Sequence, residues 1–410
     1  MLEDILGIAH SRLLIDKLAQ LQVTEHSLDD HLAELAHHYA RANNPERAVR
    51  YLTRAGKQAL GRCAFGEAQA QLQQGLELIQ LLPESSGRDA QELDLASTLA
   101  QVLLVLRGFS APETRAGATR AAALAEKSGN LAALVQQLVA ETINTFVRGD
   151  YSAAAALADQ LLETAQREGS PASLGPGHSL QLQIRFWRGD CLGAEEHFER
   201  GRAFFDVPGF VQLRGLEAST CGTASWLAFV TGRADTARER IRRCIEGTQH
   251  PYDLAFGQMW AAFQHAALGE FERAEALAAK AVSQSEERGF PELVLWSLVP
   301  LGYARGELGR TGEGIALLRW AVASATASGA HIAIVRQLTW LARIQMLDGA
   351  IADALGTIED ALRANPEELA WRPETCRVRG ELRLKEGDRS LAETDFREAI
   401  ALAQKMNGKL

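Results

Sequence analysis

Seven glycines punctuate the last two-thirds of this chain at nearly even intervals: Gly149, Gly189, Gly232, Gly269, Gly309, Gly349 and Gly387. The intervals are 40, 43, 37, 40, 40 and 38 residues. Small residues recur in a fixed frame around them. Five positions on lie Ala154, Ala194, Ala237, Ala274, Gly314, Ala354 and Ala392. Twelve on lie Gly201, Cys244, Ala281, Ala321, Ala361 and Ala399, and seven before lie Ser225, Ala262, Gly302, Ala342 and Gly380; Leu161, Thr142 and Leu182 are looser matches. Nine positions on, the residue is bulkier in Phe198, Ile241, Leu318, Ile358 and Phe396. Asn43 sits in the same frame, with Ala36, Ala48, Leu52 and Ala55. Such a period leaves little choice of fold. Each unit reads as two antiparallel helices around a turn that needs a left-handed backbone residue. Small residues let the two axes approach, and the larger one fills the space between units. One hairpin cannot bury its apolar face alone, so neighbours must stack.

The stretch LGYARGELGRTGEGIALLRWA, 301–321, is the densest glycine cluster. It is not a phosphate loop, because no G-x-x-x-x-G-K-[ST] occurs. Gly302, Gly309 and Gly314 belong to the repeat frame. Gly306 and Gly312 do not, and Gly306 falls beside Tyr303 on the expected inner face, where a groove would be widest. Segments rich in Pro or Gly mark expected turns between units: 168–177, 206–210, 287–292 and 364–374. The N-terminal third is less regular. Residues 31–83 read as three helices in sequence, the middle one (about 45–60) shared between two hairpins, and 90–128 as a degenerate pair. Met1 to Gln22 reads as a leading amphipathic helix. The expected architecture is all-α: a superhelical solenoid of about nine or ten hairpins and no strand. Residues 1–128 form its irregular part and 129–410 its regular part, continuous as one solenoid.

Composition bounds the function. Apolar residues make up 47% and charged residues 23%, the balance of a folded chain. The net charge of −9 gives no basic footprint for nucleic acid. The one arginine run, Arg238 to Cys244, reads as a solvated helix face. Five scattered cysteines without a C-x-x-C pair point to reduced thiols and a cytoplasmic setting. No stretch has the length of a membrane span, and the N-terminus lacks a signal-peptide pattern. His37 and His38 are adjacent and face different ways; His31 and His38 stand about 10 Å apart on a helix. No H-E-x-x-H and no G-x-S-x-G occurs. The carboxylate pairs Glu195–Glu196 and Glu286–Glu287 fall on charged helix faces. No catalytic residue, metal site or cofactor is expected, and the chain reads as a non-enzyme.

The repeat frame resembles the tetratricopeptide repeat, whose usual period of about 34 is shorter. HLAELAHHYARANNPERAVRYLTRAG, FGEAQAQLQQGLELIQLLP, RGFSAPE and FREAIALAQKMNGK resemble the C-terminal helical-repeat arm of bacterial predicted-ATPase proteins that often carry a class III adenylate/guanylate cyclase domain. The chain is more distantly similar to the arms of MalT-type signal-transduction ATPases. The resemblance implies a sensor or scaffold arm and transfers no catalytic residue. The chain stops at Leu410 without the polar cap that solenoids usually carry, which suggests a piece of a longer protein or a covering partner.

In stacked hairpins the first helix of each unit lines the concave wall. Counting back from each glycine places Phe146, then Gln183, Phe186 and Trp187, then Trp226 and Phe229 on that wall. Phe256, Met259 and Phe263 follow, then Trp296 and Tyr303, and finally Arg336, Arg343 and Arg377. Aromatics are only 6% of the chain, so their concentration here carries information. Two readings stand. The stripe is a groove, aromatic with an arginine end, for a peptide or protein segment bearing acidic groups; or it is an inner core buried by tight curvature. A peptide or protein partner, including upstream ATPase or cyclase domains, is one functional expectation. A small-molecule sensor arm is the other.

Overall fold

The computed structural model describes residues 31–408 apart from 109, 110, 212, 247 and 249. The helix expected over Met1 to Gln22 lies outside the described residues. The chain forms two compact units, Met1–Gln137 and Leu138–Leu410, each described here by itself. Among the described residues there are twenty α-helices and no strand.

In the first unit, α1 (Leu32–Arg41), α2 (Pro45–Gly61), α3 (Phe65–Leu78), α4 (Ser86–Arg107) and α5 (Pro112–Ser128) pack in chain order. Helix α2 serves both α1 and α3, as the sequence suggested. Asn43 takes the left-handed turn, φ 56°, and Asn44 caps α2 by accepting from the Arg47 N–H. Gly56 and Gly75 let helices close up: a Cβ on either would lie 2.6 or 2.8 Å from Leu72 or Leu95.

Helix α6 spans Leu131–Val147. The second unit continues with α7 (Tyr151–Glu168), α8 (Pro171–Trp187), α9 (Cys191–Gly201), the short α10 (Pro208–Val211), α11 (Leu216–Val230) and α12 (Ala234–Glu246). It ends with α13 (Pro251–Ala267), α14 (Phe271–Arg288), α15 (Pro291–Glu307), α16 (Thr311–Ser328), α17 (Ile334–Leu347), α18 (Ile351–Ala364), α19 (Arg372–Glu386) and α20 (Arg389–Lys405). All seven repeat glycines occupy the hairpin turns with φ between 76° and 93°. A side chain would be strained there whatever the space. A second left-handed set, Gly169, Gly289 and Gly329, ends α7, α14 and α16. Pro171 and Pro291 then open the next helices at a position where proline costs no hydrogen bond.

The frame residues pack as their sizes demand. Ala154, Ala194, Ala237, Ala274, Ala354 and Ala392 are fully buried. Gly314 faces Gly302 and Gly306 so closely that a Cβ on it would sit 2.6 Å from the Gly302 carbonyl oxygen. Three expectations need correction. Segment 168–177 is not a long turn: only Gly169 and Ser170 link the helices, and Pro176 lies inside α8. Gly306 does not mark the widest point of a groove, because Ile344 fills the space its Cβ would take, 2.5 Å away. The arginine run is not uniformly solvated: Arg240 stacks over Phe198 at 4.1 Å and pairs with Glu195 at 2.7 Å, while Arg238, Arg242 and Arg243 make more exposed pairs.

Candidate ligand-binding interior of the second unit

The inner helices are buried on almost every side. Helix α13 buries nearly all residues from Tyr252 to Ala266, and α11 nearly all from Leu216 to Val230. Their inward side chains meet in one aromatic cluster. The Trp226 ring lies 5.7 Å from Trp187, 5.2 Å from Trp260, 5.7 Å from Phe263 and 5.2 Å from Trp371. Trp340 extends the cluster, 5.7 Å from Phe263 and stacked on Tyr303 at 4.2 Å. Phe186 joins at Trp226, 6.3 Å away. Such ring pairs add about 0.5–1.5 kcal/mol each beyond the area they bury.

One cation sits inside this cluster. The Arg336 guanidinium carbon lies 3.9 Å from the Phe263 centroid and 4.5 Å from that of Trp226, with Trp340, Trp187 and Trp371 at 5.5, 5.7 and 6.0 Å. Arg336 is 5% exposed and its Nε has no hydrogen-bond partner. The indole N–H groups of Trp226, Trp260 and Trp371 are likewise buried without partners. Desolvation lowers the Arg336 pKa, opposed by the nearby Glu368 carboxylate.

Glu368 is itself fully buried. It receives the backbone N–H groups of Val335 and Arg336 at 3.2 and 3.3 Å, at the N-terminus of α17 where the helix dipole favours an anion. Burial pushes its pKa up; those two N–H donors, Arg336 and the Tyr151 hydroxyl pull it back. The Tyr151 hydroxyl also accepts from the Ala333 N–H at 3.2 Å, fixing the left-handed Ala333, φ 58°, that starts α17.

The segment 365–371, between α18 and α19, runs against this interior. Leu369 and Ala370 donate backbone N–H bonds to the Trp187 carbonyl at 2.9 and 3.2 Å. The Asn365 side chain donates to the Gly149 carbonyl at 2.8 Å, and Glu367 accepts from the Ser152 N–H at 2.8 Å and from its hydroxyl at 2.5 Å. Gly149 and Gly189 leave no room here: a Cβ on either would come within 3.1 Å of the Asn365 amide and His331, or of Leu369 and Met406. Beside the segment opens a cleft of about 450 Å³ lined by Asp159, Gln181, Arg185, Arg188, Glu367 and Leu369.

The expected wall residues therefore divide. Trp187, Trp226, Phe263, Tyr303 and Arg336 come together, with Phe186 at their edge. Phe256 and Trp296 meet each other at 5.8 Å in a second group with Tyr252 and Phe290. Phe146 packs on Tyr151 at 5.5 Å, and Met259 is buried. Gln183 donates to the Ser179 hydroxyl at 3.1 Å, and Phe229 is half-buried. The arginine end is mostly neutralised from within. Arg343 pairs with Glu307 and, at 3.7 Å, with Glu381; Arg377 pairs with Glu381 and, at 2.6 Å, with Glu374. Sequence reading missed Trp260 and Trp340. Both stand nine residues before a repeat glycine, three before positions already placed on the wall, so the helical period could have found them. Glu368 and Trp371 lie on a non-helical linker and carry no periodic signal. Among the described residues no cluster of His, Cys, Asp and Glu suits a metal ion, and no helix is long and apolar enough to cross a membrane.

No family model matches the chain, and no curated protein matches it. The fold has counterparts among solved structures. A Rap protein, solved in complex with competence and sporulation factor, superposes with a TM-score of 0.59 at 10% identity, over 87% of this chain and 98% of its own. The STAND protein with a tetratricopeptide repeat sensor from Pyrococcus horikoshii aligns at TM-score 0.42 and 9% identity over 82% of this chain and 52% of its own. The Cut9–Hcn1 assembly aligns at 0.44 and 11%, over 98% and 89%. The chain has a tetratricopeptide-like, all-α solenoid fold.

Proposed function

We propose that the second unit is a non-enzymatic binding module that captures a short acidic protein or peptide segment on its inner face and thereby regulates signalling domains, an ATPase or a nucleotide cyclase, in the same or a partner chain. One observation carries this reading. The inner face already holds a non-helical acidic segment, 365–371, by backbone hydrogen bonds to Trp187, by carboxylates at two helix N-termini and by one tryptophan. A surface that recognises its own chain this way has the chemistry to recognise another. The Rap likeness, a protein solved with a bound factor, is in keeping with it. The test uses a fluorescein-labelled peptide, Asn-Pro-Glu-Glu-Leu-Ala-Trp, and the full chain in fluorescence polarisation. Glu367→Ala loosens the resident segment and should tighten peptide binding about tenfold over the unaltered chain, with a scrambled peptide inert. No saturable binding to either protein would sink the reading.

A second reading, a small-molecule sensor arm, is favoured by a different observation: the unpartnered donors around Arg336.

A further inference from the structure

Burying a guanidinium without filling its donors is costly, and four separate donors meet that description in one cluster. Arg336 presents Nε, and Trp226, Trp260 and Trp371 present their indole N–H groups, each side chain more than nine-tenths buried. Trp226 touches Trp260, Trp371 and Arg336, so the four side chains belong to one cluster. Glu368 does not fill it. Its oxygens are held by the N–H groups of Val335 and Arg336, and it balances the guanidinium charge through space. The aromatic faces around Arg336 attract the cation and offer it no acceptor. An acceptor with negative charge, on a body flat or small enough to lie among rings, would satisfy these donors.

We propose that this locus is a carboxylate site: an organic acid, free or as the end of a peptide, places its carboxylate on Arg336 and the neighbouring indole N–H groups and its apolar part among the tryptophans. This rests on the small-ligand reading of the interior and deepens it. A planar guanidinium and a carboxylate match in geometry, and the surrounding rings strengthen the contact by excluding water. Arg343 and Arg377 are each paired with their own carboxylates and are not among the unpartnered buried donors.

The experiment titrates the full chain with benzoate, following tryptophan fluorescence and melting temperature, with isosteric benzamide and inorganic phosphate as comparators. Benzoate should quench saturably and raise the melting temperature; benzamide and phosphate should bind at least tenfold more weakly. Arg336→Met should weaken benzoate about tenfold or more, as the loss of a charge-assisted contact requires. Trp371→Phe, which keeps a ring and removes one donor, should weaken it several-fold and guards against a misfolded arginine variant. Acetyl-Ala-Trp as acid and as amide distinguishes a peptide terminus from a free acid: preference for its acid form over benzoate assigns the former. Equal binding of benzamide or phosphate, or full benzoate affinity in a folded Arg336→Met, overturns the proposal. Loss of Asn-Pro-Glu-Glu-Leu-Ala-Trp binding with benzoate binding intact would remove the peptide reading alone, and the converse would remove this site alone.

Discussion

The two helices of each repeat are built on different rules. Helix α14 buries Ala274, Ala278, Ala281 and Ser285, a single stripe of small residues, and leaves the rest outward. Its partner α13 buries Tyr252, Phe256, Met259, Trp260, Phe263, Gln258, Gln264 and His265, and none of its residues is exposed. The same contrast holds between α16, with Gly314, Leu318, Ala321 and Ala325, and α15, and between α18, with Ala354, Ile358 and Ala361, and α17. An outer helix has one neighbour layer, so spacing alone specifies it. An inner helix is enclosed by the outer layer on one side and by the interior on the other. What occupies that interior is decided by side chains from distant repeats.

The largest expected effect is in the inner layer. Trp226 touches Phe186, Trp187, Trp260, Phe263 and Trp371 and is 1% exposed. Trp226→Ala should cost about 3–5 kcal/mol in urea unfolding. Trp320, on outer helix α16 and 51% exposed, is its counterpart, and Trp320→Ala should change stability by less than about 0.5 kcal/mol. A small loss at Trp226, near that at Trp320, would break the comparison and return the aromatic stripe to the status of an open groove.

Next comes the contact between layers. Gly314 of α16 meets the backbone of α15, so Gly314→Ala pushes a methyl group against the Gly302 carbonyl oxygen and should cost about 1–3 kcal/mol. Gly356 of α18 has no atom within 4 Å of an added Cβ, and Gly356→Ala should stabilise by about 0.5–1 kcal/mol through helix propensity. Two thermal melts of opposite sign are the expected result. The same sign in both would mean that the glycine frame reflects turn chemistry alone and not close approach.

These glycines show what the sequence makes legible. The turn at Gly309, the close approach at Gly302 and Gly314 and the outer alanine stripes follow from local spacing, because each is settled within one hairpin. The interior is not local. Trp371 meets Trp226 across 145 residues of sequence, and Glu368 reaches α17 from a linker that the sequence marks only as a proline-bearing turn. Arg336 was placed on the inner wall by its offset, but nothing in that offset separates it from Arg343, which pairs with Glu307 while Arg336 is enclosed by rings. Contacts between repeats decide that difference, and a period records only contacts within them.

The smallest of the three effects concerns a polar exchange between the layers. His178 on inner helix α8 and His197 on outer helix α9 face each other with Nδ1 atoms 3.1 Å apart, both more than nine-tenths buried. One ring must donate and the other accept, which requires at least one neutral imidazole. Burial lowers both pKa values, His197 to about 4, and the positive charges of Arg185 and Arg200 act the same way. The unfolded chain therefore binds more protons than the folded one once the pH drops below 6.5, the ordinary histidine value. Stability contributed by His197 is intact above 6.5 and is lost between there and about pH 4. Each such group steepens the acid limb by at most about 1.4 kcal/mol per pH unit. His197→Gln removes one titration and keeps a polar partner for His178, so its urea midpoint should fall less than that of the unaltered chain between pH 6.5 and 4.5. Parallel curves for the two proteins would show that the pair is solvated, and that here the outer layer reaches water where the structure places it in the core.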